Sequence, residues 1–419
     1  MALAHFIHHL LLYSFPALIV LVIDDIPLDY TEIGLLGTTP TLFMALTSPL
    51  VGYISRQARL GVLMVITGVL VFALTCFVFA ASLSFWWLLL GNLLLGLGAT
   101  TYHPAGLGMV ANAFKTHERG KGLSVNHAAG VVGTALSPVT LLGLAVFVLA
   151  GWRETFFVLG AITGLFGLGM AVWVVARHFV RKYETLLNEQ PVIPMEEELP
   201  DEVIEEVRPR MTANLRKWIV VTLILILALS ALRNGVYRSL SYFTVTLLKN
   251  YYGMTSFDAG LWTSVILVAG SVSDIGGAVV SDKSGAVGRL KVVLVSAVGT
   301  GCSILLIMLL STNGFSVAFV LVGFIAFAFL FYLAGGTLQA LMSDVVPGKQ
   351  RTMFYSVVFS VGLVVSSLSP TLFGYLLDLF NSPVGALAFL LALTVLAFAV
   401  GLLLWKRIKT AVIDQLIVV

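Results

Sequence analysis

Charged residues are scarce in this sequence. Asp, Glu, Lys and Arg make up 11% of its 419 positions, whereas 59% are hydrophobic. Because soluble globular domains carry about 25% charged residues, this composition excludes a soluble protein. Cysteine is nearly absent too, and Cys76 and Cys302 lie inside apolar stretches, which excludes a disulfide-stabilised scaffold. A nucleotide-binding glycine loop with its lysine is missing, so we expect no cofactor, no ATP-driven step and no enzymatic activity.

Apolar stretches of about twenty residues fill most of the chain, and each could cross the roughly 30 Å hydrocarbon core of a bilayer as a helix. In the first half, the predicted helices cover residues 3–23, 33–55, 60–81, 84–112, 120–149 and 153–177. In the second half, they cover residues 216–247, 257–281, 290–311, 315–342, 351–377 and 384–405. The sequence therefore predicts an all-α membrane protein with twelve transmembrane helices.

One long polar segment separates these two sets of helices. It contains several prolines and an acidic run from Glu196 to Glu206. Such a composition cannot be buried in lipid and indicates a solvated linker. We therefore predict an N-terminal six-helix bundle over residues 1–178, a cytoplasmic, acidic and proline-containing linker over 179–214, and a C-terminal six-helix bundle over 215–419.

Basic residues predict the orientation of the helices. With a cytoplasmic N-terminus, the outer loops hold Arg153 and Lys249, and nearly all other Lys and Arg residues fall in inner loops or the linker. Because cytoplasmic loops are enriched in Lys and Arg, both termini are predicted to be cytoplasmic. The formal net charge of +3 then reflects topology, so we expect no nucleic-acid partner. The expected location is the cell (plasma or inner) membrane.

Predicted helices 5 and 11 look like copies of one another. The residues that recur at the same spacing are Arg119, Ser124, Gly130 and Ser137-Pro138, matched by Arg351, Ser356, Gly362 and Ser369-Pro370. Parallel six-helix halves related by an axis along the membrane normal are a recurring transporter plan. The repeat therefore predicts two pseudo-symmetric six-helix bundles.

Several motifs stand in the first half of the chain. Helices 1 and 2 carry Ala4-His5-Phe6-x-His8-His9, Pro16-Ala17-Leu18 and Gly34-Leu35-Leu36-x-Thr38. Helices 4 to 6 carry Tyr102-His103-Pro104-Ala105, Arg119-Gly120-x3-Ser124 and Gly151-Trp152-Arg153-x2-Phe156. These motifs resemble the fosmidomycin-resistance family of major facilitator efflux proteins. The resemblance implies the major facilitator fold, with helices 1, 4, 7 and 10 lining a central cavity.

The same resemblance implies residues that gate the cytoplasmic side. The superfamily usually has Gly-x-Leu-Ala-Asp-Arg-x-Gly-Arg between helices 2 and 3, where the acid helps to hold the cytoplasmic side closed. This sequence departs from that motif, because Arg56 stands where the acid belongs. The second-half copy keeps its acid as Asp282, which is expected to act as the latch.

Four histidines are placed to act within the membrane. His5 and His9 begin helix 1, His103 lies in helix 4 and His127 in helix 5, all within roughly 6–18 Å of the cytoplasmic boundary. Three interpretations remain open: binding of a coupling proton, coordination of a transition metal, or hydrogen-bonded packing. His8 cannot share a face with both neighbouring histidines and is expected to be structural.

Helix 7 carries two arginines within the predicted span. Arg233 lies near mid-membrane and Arg238 further out, with Tyr237 and Tyr242 one turn beyond each on the same face. An arginine at this depth must face a partner or a water-filled cavity. Because guanidinium groups bind carboxylates and phosphonates through paired hydrogen bonds, these four side chains predict an anionic substrate. A structural salt bridge is the alternative.

Helix 10 and the acids complete the candidate set. Tyr332 and Gln339 are polar candidates for substrate contact on helix 10. Asp274, inside helix 8, could bind the coupling proton, pair with a histidine, or hydrogen-bond to neighbouring serines. Asp24 and Asp25 end helix 1 on the outside, where an outer gate with an arginine of helix 7 is expected.

These observations favour a secondary active transporter that exports a small anionic or amphipathic compound, such as a drug, by proton antiport. Proton-coupled uptake of a metabolite, and export of a metal or metal chelate through the histidines, are alternatives within transport. A non-transporting receptor or scaffold is a further alternative, but it gains nothing from buried Arg, Asp and His residues. The expected partners are the bilayer, the substrate and protons, and the protein is expected to function as a monomer.

Overall fold

The computed structural model describes residues 1–55, 58–113, 119–187, 213–282, 285–338, 341 and 360–413. The helices of the first half are α1 Ala2–Leu12, α2 Ser14–Asp25, α3 Tyr30–Ile54, α4 Ala58–Ala80, α5 Phe85–Ala113, α6 Arg119–Gly143 and α7 Trp152–Leu187. Those of the second half are α8 Ala213–Asn250, α9 Ser256–Asp282, α10 Gly285–Thr312, α11 Val317–Tyr332, α12 Ser369–Phe380 and α13 Pro383–Ile413. Within these ranges, twelve spans are long and apolar enough to cross a membrane. The prediction of an all-α protein with twelve transmembrane helices is confirmed.

The first span is interrupted, because α1 and α2 meet at Tyr13 rather than forming one regular helix. Pro16 lies one turn later and has no backbone N–H, so it cannot hydrogen-bond to the carbonyl one turn back. The Ser14 hydroxyl donates to the Leu11 carbonyl at 2.7 Å and satisfies part of the interrupted helix.

The tenth span is also interrupted, which the predicted continuous helix over 315–342 did not anticipate. α11 ends at Tyr332, a turn follows at Leu333 and Ala334, and residues 335–338 are helical again. Gly335 and Gly336 follow the turn, and glycine is a poor helix former. The interruption leaves backbone groups that other helices must satisfy.

Two other boundaries differ from the prediction. α7 continues to Leu187, ten residues beyond the predicted end at 177, and α13 continues to Ile413. The remainder of the predicted linker, from 188 to 212, lies outside the described residues.

Helix packing follows the two halves of the chain. In the first half, α4 packs on α5 and α7, α3 on α5, and α1 on α6. In the second half, α10 packs on α11 and α13, α8 on α13, and α9 on α11. The main contacts between halves join α3 with α12, α6 with α9, and α2 with α8. A twofold rotation that relates the halves places α3 on α9 and α12 on α6. It therefore exchanges the first two pairs, as pseudo-symmetry requires.

The halves interlock at the end of the molecule that carries Asp24 to Asp29, opposite the chain termini, which we call the distal end. Asp378 of α12 accepts hydrogen bonds from the backbone N–H groups of Tyr30 (3.0 Å) and Thr31 (2.7 Å) at the start of α3. Its carboxylate therefore satisfies N–H groups that a helix start leaves free, and it faces the positive end of the helix dipole. Glu32 forms a capping box with Asp29 at the same helix start.

Close backbone approach tightens the distal end further. A Cβ atom added at Gly374 of α12 would overlap the Tyr30 carbonyl oxygen. One added at Gly34 of α3 would lie 2.7 Å from the Thr371 Cα atom. Tyr251 stacks on Tyr30 at a ring separation of 5.7 Å, and burial raises the pKa of Tyr251 well above its usual range. Side chains cannot be inserted here unless the halves move apart.

Candidate functional site

Three histidines of α1 and one of α5 lie together, and we call His5, His8, His9 and His103 the histidine cluster. The His5 ring centroid lies 4.7 Å from that of His9 and 5.6 Å from that of His103. The His8 ring lies 5.0 Å from that of His103 and 5.1 Å from that of His9. His5 and His8 are 3% and 2% exposed, so the rings pack on one another away from solvent. The histidines of α1 and α5 are therefore in contact.

Hydrogen bonds on one side of the cluster fix which ring nitrogen carries a proton. His5 Nδ1 lies 2.6 Å from the Asn126 carbonyl oxygen, which can only accept, so this nitrogen donates. The Tyr102 ring stacks on His5 at 4.7 Å, and its hydroxyl donates to Asn126 Oδ1 at 2.8 Å. His9 Nδ1 lies 2.9 Å from the Thr134 hydroxyl, which itself donates to the Gly130 carbonyl. In neutral imidazoles, both Nε2 atoms are then free to accept a proton or a ligand.

The opposite side of the cluster has no hydrogen-bond partner among the described residues. His5 Nε2 and both ring nitrogens of His8 are buried and make no hydrogen bond with the described residues. His127, predicted to join the cluster, is exposed on α6 and makes none of the ring contacts found among the other four. His8, expected to be structural, is fully enclosed, and its ring nitrogens have no hydrogen-bond partner among the described residues.

A second polar site lies between the two halves. The Tyr13 hydroxyl of the first half hydrogen-bonds to the Tyr237 hydroxyl of α8. One turn along the span, the His9 ring stacks on Tyr13 at 6.3 Å, which connects this contact to the histidine cluster. Arg238 Nη1 donates to the Thr41 hydroxyl of α3 at 2.6 Å, and Arg238 Nε is buried without a hydrogen-bond partner. The boundary between the halves thus contains a guanidinium that is only partly satisfied.

Arg233 occupies a different environment, inside the second half. It is 7% exposed, and Nη2 donates to the Phe331 carbonyl at 2.5 Å, while Nη1 donates to the Ser296 hydroxyl at 3.2 Å. The guanidinium also lies over the Phe331 ring, 4.6 Å from its centroid. Phe331 is next to the last residue of α11, so Arg233 satisfies a carbonyl at the C-terminal end of that helix.

Asp274 satisfies the other side of the same interruption. Its Oδ1 atom accepts the Gly336 backbone N–H at 2.8 Å, at the start of the helical residues 335–338. The hydroxyls of the neighbouring Ser271 and Ser273 donate to the carbonyls of Leu267 and Phe329 rather than to Asp274. We call Arg233, Asp274 and Ser296 the arginine cluster, because together they cap the two ends of the broken helix.

The remaining predicted site residues are distributed around these clusters. Tyr332 lies edge-on to Tyr237 at a ring separation of 5.9 Å, close to the contact between the halves. Tyr242 is buried beside Gly37 of α3, and its hydroxyl makes no hydrogen bond with the described residues. Arg56 and Gln339 lie outside the described residues, and of Asp282 only the backbone is described.

The outer acids have other partners than the sequence suggested. Asp25 forms an ion pair with Arg153 and accepts the Trp152 indole N–H at 3.0 Å. Asp24 pairs with Lys249 of α8 at 2.7 Å, across the boundary between the halves. The expected pairing of these acids with an arginine of helix 7 is not made, because Arg238 lies deeper and donates to α3 instead.

Sequence reasoning missed Tyr13, Thr41 and Thr134. Tyr13 follows His9 by one helical turn, so the spacing could have placed it on the same face. Thr41 and Thr134 stand in apolar helices among other small hydroxyl residues, and no periodic pattern separates them from ordinary packing positions.

Comparison with known proteins agrees with this architecture. The sequence model of the Major Facilitator Superfamily matches residues 1–370. The chain is 22% identical over 377 residues to the fosmidomycin resistance protein of Escherichia coli, covering 86% of this chain and 82% of that protein. It is 24% identical over 340 residues to a candidate metabolite transport protein of Haemophilus influenzae, covering 78% and 76% of the two chains.

A solved structure has the same fold. The bacterial homologue of the human lysosomal transporter Spinster, in an inward-facing and occupied conformation, superposes with a TM-score of 0.74. It is 14% identical in sequence, and the match covers 97% of this chain and 95% of that one.

Proposed function

Because the chain belongs to the major facilitator superfamily, whose members are transporters and not enzymes, we propose that it exports a small anionic or amphipathic compound in exchange for protons. The observation that carries this proposal is Arg238, a half-buried arginine at the boundary between the halves whose buried Nε–H group has no hydrogen-bond partner among the described residues. Buried polar groups are normally satisfied, so an unpaired donor at a moving boundary is suited to a ligand. Carboxylates and phosphonates complement a guanidinium.

The name of one relative supports the substrate class. Fosmidomycin, the compound in the name of the E. coli relative, is a phosphonate and matches the chemistry of Arg238. In our proposal the phosphonate or carboxylate takes the place of Thr41 on the guanidinium, and the Tyr13 and Tyr237 hydroxyls lie beside it. Since Thr41 and Arg238 belong to different halves, rocking of the halves would make and break this contact during alternating access.

The histidine cluster is proposed to carry the coupling protons. Its four rings have no carboxylate partner among the described residues, and a neutral imidazole can take up and release a proton at the ring nitrogen that it does not use as a donor. Protonation of His9 would place a positive charge beside Tyr13, whose hydroxyl bonds to Tyr237 across the boundary. Proton binding in the first half would in this way alter a contact that holds the halves together.

The proposed orientation places both termini in the cytoplasm and the distal end outside. Among the described residues, hydrogen bonds between the halves lie from mid-span to the distal end, so the distal end is closed. In the proposed orientation this is a state closed to the outside. A cysteine introduced at Lys249 or Asp378, in a background without Cys76 and Cys302, should then react with impermeant maleimide from outside intact cells. Reaction in inverted vesicles alone would reverse the orientation.

Fosmidomycin flux in proteoliposomes tests the function. The parental protein should move the drug against its gradient when an opposing proton gradient is imposed, and dissipation of that gradient should stop it. Drug movement in the same direction as the protons would instead indicate symport and uptake. Failure to bind fosmidomycin or any carboxylate at Arg238 would overturn the anionic substrate class.

Two variants locate the site. Arg238→Lys keeps the charge and loses the paired N–H geometry, so affinity should fall by about 1–3 kcal/mol, the scale of a hydrogen bond to a charged group. Arg238→Gln should cost more and should favour neutral analogues. Arg407→Gln is the matched control, because Arg407 bonds within the second half, to Thr222 and the Trp218 carbonyl. Equal losses in Arg238→Gln and Arg407→Gln would remove the case for Arg238.

A further inference from the structure

We propose that the histidine cluster is a transition-metal site in which His5, His9 and His103 coordinate one divalent ion such as Zn²⁺. This inference rests on the proposed function only in that both involve the same side chains. Metal binding can be measured without measuring transport. One ligand nitrogen from each of these three residues lies within 4.8 Å of the other two. Zinc–nitrogen bonds of about 2.0–2.1 Å place the ligands of a tetrahedral ion about 3.4 Å apart, so small rotations of the rings would close the site.

The hydrogen bonds around the cluster are those of a metal site. A histidine that binds a metal through one nitrogen usually donates the other N–H to a carbonyl, carboxylate or similar acceptor, which fixes the tautomer. His5 Nδ1 donates to the Asn126 carbonyl at 2.6 Å, and His9 Nδ1 donates to the Thr134 hydroxyl at 2.9 Å. Both rings thereby present Nε2, and the His5 Nε2 atom is buried and unpaired.

The α6 backbone lies close to the cluster at a glycine. A Cβ atom at Gly130 of α6 would lie 2.9 Å from His5 Nε2 and 2.9 Å from His9 Cδ2, so any side chain there would press against the presented ligand atoms. His8 encloses the opposite side, and neither of its nitrogens has a hydrogen-bond partner among the described residues. A buried unpaired imidazole is costly, and a metal ion nearby would relieve that cost by direct coordination or through a bound water.

The donor set selects the kind of metal. The cluster consists of neutral imidazoles without a carboxylate or thiol among the described residues, which suits Zn²⁺, Co²⁺, Ni²⁺ or Cu²⁺ rather than Mg²⁺ or Ca²⁺. Three histidines with an open fourth position allow an exchangeable fourth ligand. An ion held there would occupy the nitrogens that otherwise bind protons.

Metal titration of the purified full-length chain, with any affinity tag removed, tests the site. We expect one Zn²⁺ per chain with a Kd below about 10 μM, and a Co²⁺ complex with the visible absorption bands of a four- or five-coordinate nitrogen site. His103→Gln should weaken Zn²⁺ binding by at least about 100-fold and abolish the Co²⁺ spectrum. His127→Gln is the matched control, since this histidine is exposed on α6, and it should bind within about threefold of the parental protein.

Thr134→Val separates coordination from folding. It preserves shape and removes the acceptor for His9 Nδ1, so Zn²⁺ binding should weaken by about 10-fold to 100-fold while the elution profile stays parental. Zn²⁺ binding weaker than about 100 μM, or equal binding in His103→Gln and the parental protein, would overturn the proposal. If the metal proposal fails in this way but drug flux persists, the proposed function still stands, because the flux assay contains no metal.

Discussion

The two polar clusters of this protein lie beside interrupted helices but differ in how their polar atoms are satisfied. In the arginine cluster, Arg233 donates to the Phe331 carbonyl and Asp274 accepts from the Gly336 N–H, so each charge meets a helix end of opposite polarity. In the histidine cluster, His8 and one side of His5 have no partner among the described residues. The comparison indicates that the charged cluster stabilises the fold, whereas the neutral cluster is available for a proton or an ion.

The arginine cluster should be the more sensitive of the two to substitution. Arg233→Met should destabilise the protein by about 3–5 kcal/mol, because it removes the charge that faces Asp274 and the shorter of the two hydrogen bonds to the Phe331 carbonyl, which leaves only the one from Ser296. His8→Leu removes a buried group that makes no hydrogen bond, so its stability should equal or exceed that of the parental protein. Melting temperature and the folded fraction after size-exclusion chromatography measure both. Equal destabilisation by the two variants would show that the two clusters do not differ in their contribution to stability.

A substitution at the distal end should move the two halves apart there without altering the contacts of the histidine cluster or the arginine cluster. Gly374→Val forces a side chain against Tyr30 and should cost the closed state about 1–3 kcal/mol, enough to populate a state open at the distal end. Spin labels at Leu83 and Phe315, both exposed in distal loops, should report longer distances. Gly276→Val is the control, because no atom lies within 4 Å of a Cβ there. An unchanged distance distribution in Gly374→Val would show that the halves are not held by this contact.

Asp274 offers a finer test of the capping role. Asp274→Asn keeps an oxygen that accepts from the Gly336 N–H, whereas Asp274→Ala removes it and should cost about 0.5–2 kcal/mol, the range for a lost helix cap. We expect Asn to be the milder change in melting temperature. If Asn destabilises as much as Ala, the charge of Asp274 matters more than its hydrogen bond.

The ion pair at the distal end should matter least. Lys249 is 20% exposed and Asp24 is 60% exposed in their side chains, and such pairs contribute about 0–1 kcal/mol. Lys249→Met should therefore shift the melting temperature less than Asp274→Ala does. A larger shift would mean that Lys249 acts through the Val20 carbonyl, to which it also donates.

The fold could be predicted from the sequence because the apolar length of each span identifies it as a transmembrane helix. The two helix interruptions could not be predicted in this way. Pro16 signals the first, but the break lies at Tyr13, upstream of the proline, and the second depends on Arg233 and Asp274 reaching the backbone of α11 and Gly336 from other helices. Tertiary contacts of that kind leave no local pattern in the sequence.

The candidate site was predictable in its residue types more than in its contacts. Histidines in helices 1 and 4 pointed to a cluster, and four rings do gather there. Arg233 attracted attention as the deeper arginine, yet Arg238, five residues on, faces the other half. The sequence of a helix with two arginines does not show which of them faces its own bundle. The facing depends on how the helix is rotated about its axis relative to its neighbours.

Uphill drug transport by His103→Gln tests the account most directly. The variant should fold, bind fosmidomycin and exchange it across the membrane at equal pH, because His103 does not contribute to the Arg238 site. It should fail to accumulate the drug under a proton gradient, since coupling requires the histidine cluster. Accumulation at the parental rate by His103→Gln would contradict the assignment of proton coupling to the histidine cluster.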